Sequence, residues 1–226
     1  LQNNLAHLPN LLPNLYFTQA QLNINTYEFD RLWGMLCLDE RDRANRLQNS
    51  HHRRNFVAAR GNLREILGAW LDCQPEHIQF GYGDRGKPFV QNHRVHFNLA
   101  HSQDLAIYVI SDDCAVGIDL EYVDQGRNVT QIAKRYFSET EQALIIGASD
   151  RHAQQQTFFK AWTLKEAYAK ATGQGIANIL HLDIAPLIDG DRQIFQIGNW
   201  QLKLIDHELA IAPNFAAAIC WGVRDI

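Results

Sequence analysis

The sequence predicts a mixed helix-and-sheet fold in two halves of similar plan. A helix-period segment over residues 39–71 is followed by short strand patterns over 78–121. A second helical stretch over 139–171 is followed by strand patterns over 195–223. No low-complexity segment or long linker separates them, so the halves are expected to pack tightly with a ligand site at their interface. The seam falls near residues 111–114, dividing the chain into 1–112 and 113–226. The repeat is topological, since the residues themselves show no convincing repeat.

In the first half, Ala44, Leu47, Val57, Ala58, Ile66, Leu67 and Trp70 recur at helical spacing behind an Asp39 N-cap, as one helix or two joined near His51. This segment carries Arg41, Arg43, Arg46, Arg53, Arg54, Arg60 and Arg64, which read equally as a solvated face or as an anion platform. Val95, Phe97 and Leu99 alternate, an apolar run covers 105–110, and Val116, Ile118 and Leu120 alternate again, which together read as a small antiparallel sheet. The second helical stretch breaks around residues 147–150 and stops at Gly173 and Gly175. Strands resume at 195–197, 200–205 and 216–223.

Composition bounds the function. With 226 residues, 46% hydrophobic and 20% charged, the chain can bury a sizeable core. A net charge of -4 speaks against a general nucleic-acid or membrane-surface binder. No apolar run approaches the roughly 18 residues of a spanning helix, and the first residues lack a basic flank before an apolar core, so no signal peptide is expected. Cys37, Cys73, Cys114 and Cys220 are widely spaced, which predicts reduced thiols in a cytoplasm. The chain opens on Leu1 rather than Met, which leaves its natural start open.

Several clusters could carry chemistry. Gly81, Gly83 and Gly86 fit G-x-G-x-x-G, but Lys87-Pro88 leads into a strand instead of the helix a dinucleotide fingerprint requires. What remains is a glycine-rich turn bearing Arg85 and Lys87. Asp119 and Glu121, two apart on a strand, project from one face while Val116, Ile118 and Leu120 project from the other. They are either the exposed face of an edge strand or a pair of hard oxygen ligands suited to Mg²⁺. Trp162, Glu166 and Lys170 share one helix stripe below Phe158. Glu166 and Lys170 could be a surface pair, or Glu166 could share a metal with Asp119 and Glu121. His101 ends a strand and reads as structural or functional. No zinc spacing, G-x-S-x-G elbow or Walker loop is present.

In order along the chain, Gly86-Lys87-Pro88, Phe97-Asn98-Leu99-Ala100-His101-Ser102, Gly117-Ile118-Asp119-Leu120-Glu121 and the stretch 159–170 with its Trp-Thr-Leu-Lys-Glu-Ala core resemble the Sfp-type 4′-phosphopantetheinyl transferases. The resemblance covers residues 38–176, with 133–138 similar to the segment before the second-half helix. It implies an α+β fold of two halves related by a pseudo-twofold axis, each a small sheet on a long helix, with coenzyme A and Mg²⁺ between them. The implied reaction moves the 4′-phosphopantetheine of coenzyme A to a serine of an apo carrier protein, releasing adenosine 3′,5′-bisphosphate.

By position, Asp119, Glu121 and Glu166 resemble the metal ligands, and Lys170 resembles the residue that steadies the pyrophosphate. Arg60, Arg85, Lys87, Asn98 and His101 resemble the coenzyme A contacts, with Arg53 a further candidate. Glu166 is the expected base for the serine, directly or through a metal-bound water, with Glu121 its competitor. Ala100 stands where many members carry a small hydroxyl residue. The family implies a monomer acting on acidic carrier proteins or carrier domains of fatty acid, polyketide or peptide synthases, docked near residues 135–137. A coenzyme A-dependent acyltransferase or a non-catalytic phosphate-binding module are the competing classes, and neither requires a metal.

Overall fold

In the computed structural model, the structure describes residues 6–7, 15–180, 182–188 and 194–223; the chain's start at Leu1 lies outside them. The strands are β1 (Ala6–His7), β2 (Tyr16–Gln21), β3 (Phe80–Tyr82), β4 (Pro88–Val90), β5 (His96–Ser102), β6 (Leu105–Ser111), β7 (Val116–Tyr122), β8 (Phe195–Ile197), β9 (Trp200–Leu204) and β10 (Phe215–Gly222). The helices are α1 (Thr26–Met35), α2 (Leu38–Asn45), α3 (Ser50–Leu71), α4 (Val129–Tyr136), α5 (Glu139–Ile146), α6 (Arg151–Thr172) and α7 (Ala185–Ile188).

Two antiparallel sheets, ordered β1-β2-β6-β5 and β7-β10-β9-β8, are accompanied by a separate two-stranded hairpin, β3-β4. The architecture is the expected α+β. One detail differs: β7 does not join β5 and β6 in a ladder but pairs with β10, Asp119 opposite Ala218 and Glu121 opposite Ala216. Its partner lies about a hundred residues downstream, so local alternation could not reveal it.

Three cores stack the layers. Val57, Ala58, Leu63 and Leu67 of α3 pack on Phe97, Ala106, Tyr108 and Ile110. The opposite face of that sheet, with Phe17, Ile107 and Val109, meets Val116, Ile118, Leu120, Ala217 and Ile219 of the second sheet. Ala216, Ala218 and Cys220 then pack under Phe158, Leu164, Ala167 and Ala171 of α6. Side chains also stitch the edges: Asn98 Oδ1 accepts from Ile118 N at 3.0 Å and Ser102 Oγ from Tyr122 N at 2.9 Å. Two outward N–H groups of edge strand β7 are thereby satisfied.

The halves repeat in the register of their elements, although few residues are the same in both. A shift of 101 residues carries N-cap Asn49 onto N-cap Asp150, all of α3 onto α6, and the left-handed cap Asp72 onto Gly173. The same shift carries N-cap Cys37 with α2 onto N-cap Ser138 with α5, and the 3₁₀ turn Pro75–His77 onto Ile176–Asn178. Leu63-Arg64-Glu65 falls on Leu164-Lys165-Glu166, and Tyr16 on Gly117. The long segments therefore break at caps: Asn49 and Asp150 both accept backbone N–H bonds in the first turn of their helices.

Among the described residues no helix is long and apolar enough to cross a membrane, and none of Cys37, Cys73, Cys114 and Cys220 is in a disulfide.

Candidate active site

A cavity of about 450 Å³ opens between the halves. The first half contributes Arg43, Arg60, Arg85, Lys87, Asn98 and His101 to its wall, and α6 contributes Glu166 and Lys170. Of the residues expected to contact coenzyme A, only Arg53 is not on the wall; its Nη2 donates to Leu47 O at 3.2 Å, tying the α2–α3 turn. Arg43 and Tyr82 line the cavity although the sequence reading did not select them as site residues. The arginine run offered a signal for Arg43; nothing local marked Tyr82.

Each cation is held differently. Arg60 is buried, with its guanidinium over the Phe80 ring at 4.5 Å and its Nε 2.8 Å from Glu40 Oε1. Lys87 donates to the carbonyls of Val116 and Ala171, each at 3.0 Å, so it straps the glycine-rich turn to β7 and α6. Burial pulls its pKa down to about 8. His101 is held below its ordinary value by burial, then by the neighbouring Lys170 and His52.

The acids come together through an unusually close helix–sheet contact. A Cβ on Gly117 would lie 2.2 Å from both Ala167 O and Ala171 N, so only glycine lets α6 approach β7 this closely. Asp119 is therefore not on an exposed edge face: it is 5% exposed beneath α6. Lys170 Nζ donates to Asp119 Oδ1 at 2.6 Å, whereas Asp119 Oδ2 is buried with no partner of hydrogen-bonding geometry. Burial raises the Asp119 carboxyl despite Lys170. Glu121 is pushed up to about 7 by burial, then by the Asp119 charge. Glu166 is raised by burial, then by Asp119. One turn earlier on α6, Trp162 stacks on Phe158 at 6.0 Å, and both belong to the core of the second half.

Among the described residues no three His, Cys, Asp or Glu side chains form a ready metal cage. The donor set nevertheless fits Mg²⁺, which characteristically uses one or two carboxylates together with substrate phosphates. Asp119 Oδ2 is an orphaned buried acceptor, and each of the three acids raises another's pKa or has its own raised by one.

Residues 115–220 match the family model for the 4′-phosphopantetheinyl transferase superfamily. The chain is 38% identical over 221 residues to 4′-phosphopantetheinyl transferase HetI of Nostoc sp., covering 92% of this chain and 93% of that protein. It is 29% identical over 195 residues to 4′-phosphopantetheinyl transferase psf-1 of Bacillus pumilus, covering 85% and 82%. It is 24% identical over 202 residues to 4′-phosphopantetheinyl transferase Sfp of Bacillus subtilis, covering 85% of each. A cavity lined by cations of one half and by Glu166 and Lys170 of the other, in a chain 38% identical to such a relative over most of its length, makes this protein a member of the 4′-phosphopantetheinyl transferase superfamily.

Proposed function

We propose that this enzyme transfers the 4′-phosphopantetheine of coenzyme A to a serine of an apo acyl or peptidyl carrier protein, releasing adenosine 3′,5′-bisphosphate. The observation that supports it best is the cavity itself, where Arg43, Arg60, Arg85 and His101 face Glu166 and Lys170 across the seam of the two halves. In this reading residues 1–112 form the coenzyme A-binding half and 113–226 the metal-bearing half.

The cations and His101 hold the phosphates of coenzyme A, and Asn98 orders the wall by fixing β7. Asp119, Glu121 and Glu166 would hold Mg²⁺, which when bound neutralises carboxylate and pyrophosphate oxygens. Lys170 then turns part of its charge from Asp119 to the pyrophosphate. The serine oxygen bonds to the β-phosphorus, the bond from that phosphorus to the bridging oxygen breaks, and adenosine 3′,5′-bisphosphate departs with that oxygen. Glu166, the acid on the cavity wall, accepts the serine proton.

Carrier proteins with an acidic recognition surface suit Lys134 and Arg135, both exposed on α4; Phe137 is buried and belongs to the core beneath them. Lys134→Glu with Arg135→Glu should raise the apparent KM for carrier about tenfold, as loss of charge steering does. Cysteines that form no disulfide accord with a cytoplasmic enzyme, which we take to act as a monomer.

Intact-mass spectrometry of an apo carrier protein with coenzyme A and this enzyme tests the reading. A gain of one phosphopantetheine unit with Mg²⁺, abolished by EDTA, is expected. Metal-independent acylation from an acyl-coenzyme A, with no phosphopantetheine gain, would replace it with the acyltransferase reading.

A further inference from the structure

Glu40 belongs to the short helix α2, yet it fixes the cavity's buried cation. It is 3% exposed, and its Oε1 lies 2.8 Å from Arg60 Nε and 2.7 Å from Arg60 Nη2. Its Oε2 takes Arg64 Nε at 2.7 Å and Cys37 N at 3.1 Å, closing the capping box of its own helix. Arg64 is committed to the fold, because its Nη1 also donates to the carbonyls of Pro75 and Ile78. Arg60 donates to Glu40 through Nε alone; Nη2 lies within ion-pair distance but outside hydrogen-bonding geometry, so the guanidinium, which lines the cavity, keeps donors for a ligand there.

The other half shows what this acid does when no ligand is involved. Glu141, at the matching place in α5, pairs with fully buried Lys165 at 2.9 Å and closes the same kind of capping box. Lys165 donates to the carbonyls of Leu180 and Leu182, as Arg64 does to its own turn. The shift of 101 residues places Arg64 on Lys165, but Arg60 on Ala161. Anchoring the long helix is thus common to both halves; holding a second cation toward the cavity belongs to Glu40 alone.

We infer that Glu40 is a positioning residue for coenzyme A binding, holding the Arg60 guanidinium in one orientation for the ligand's phosphates. This rests on the coenzyme A reading of the cavity. A flexible arginine must be ordered at the moment of binding, and the entropy of one such side chain corresponds to roughly three- to tenfold in Kd.

The pseudo-symmetric acid supplies the control. Titration calorimetry of coenzyme A, with thermal melts, would compare wild type with Glu40→Gln, Glu141→Gln, Arg60→Gln and the Glu40→Gln/Arg60→Gln pair. Both acid variants should melt earlier, but only Glu40→Gln should raise Kd, by roughly three- to tenfold, and it should add nothing once Arg60 is gone. Unchanged or tighter binding in Glu40→Gln, equal weakening in Glu141→Gln, or multiplicative effects of the pair would overturn the inference. If Arg60→Gln itself binds coenzyme A like wild type, the cavity reading fails whatever Glu40 does. Should Glu40→Gln not fold, Glu40→Asp, which keeps the charge but retracts it by one methylene, carries the same expectation and the same overturning result.

Discussion

The helices α3 and α6 are of equal length and are capped alike, yet they sit against their sheets differently. In the first half Tyr16 of β2 and Trp70 of α3 face each other with ring centroids 4.7 Å apart. In the second half the matching positions are Gly117 and Ala171, and backbone meets backbone. The acids diverge in step. Asp119, Glu121 and Glu166 correspond to Thr18, Ala20 and Glu65, so only one acid has a counterpart. Glu65 is paired with Arg31, which also holds Glu28, while Glu166 lines the cavity. Two copies of one plan have divided the work: the aromatic-spaced half supplies cations, and the closely packed half draws its carboxylates together.

The comparison breaks most sharply at the acids. Asp119→Ala should lower transfer by about a thousandfold or more, as loss of a charge-stabilising group does, while Thr18→Ala at the matched position should stay within about twofold. Single-turnover transfer to a carrier protein reads both.

Next in size is the close contact. Gly117→Ala should cost about 3 kcal/mol from overpacking against backbone that cannot yield, or roughly 6–12 °C in Tm for a chain of this length. Tyr16→Ala should cost about 1 kcal/mol, the worth of an aromatic pair. Thermal melts that rank the two the other way would undo the packing argument.

The acids also give stability a pH dependence. Glu121 is raised from 4.5 to about 7, so between these values the folded chain keeps a proton that the unfolded chain has released. Stability should therefore fall as pH rises through this window in metal-free protein. Glu121→Gln should flatten the fall, gaining about 1–2 kcal/mol at pH 8 after allowance for solvent screening and nothing at pH 4. Denaturant melts in EDTA across this range would check the sign; stability rising with pH because of Glu121 would refute it. Glu65→Gln, by contrast, should cost about 1 kcal/mol with transfer nearly intact. Smallest of all, Arg53→Ala should leave coenzyme A affinity within about twofold, because Arg53 serves the α2–α3 turn.

Much of this was legible in the chain. Alternation along β7 put Asp119 and Glu121 on one face, and helical spacing put Trp162, Glu166 and Lys170 on one stripe. What the pattern could not show is nonlocal. Alternation left Asp119 either an exposed edge acid or a metal ligand; its burial beneath α6 is nonlocal, and its pairing with Lys170 spans 51 residues. Local spacing pointed Lys170 at Glu166 instead. The repeat stayed hidden because it lies in element lengths and caps: under the shift few residues match, and pairs such as Tyr16 against Gly117 and Trp70 against Ala171 make the halves unlike. Caps and turns carry the repeat, and several of them tolerate different residues, as Asp72 and Gly173 do in the same left-handed conformation.

The division of labour is tested most directly by measuring metal-free coenzyme A affinity and Mg²⁺-supported single-turnover transfer side by side for Arg60→Gln and Asp119→Ala. The first variant should lose affinity, with transfer recovering as coenzyme A is raised. The second should bind coenzyme A in EDTA nearly as wild type does and fail to transfer at any concentration. If Asp119→Ala transferred normally, or if Arg60→Gln lost transfer without losing affinity, the assignment of binding to one half and chemistry to the other would be contradicted.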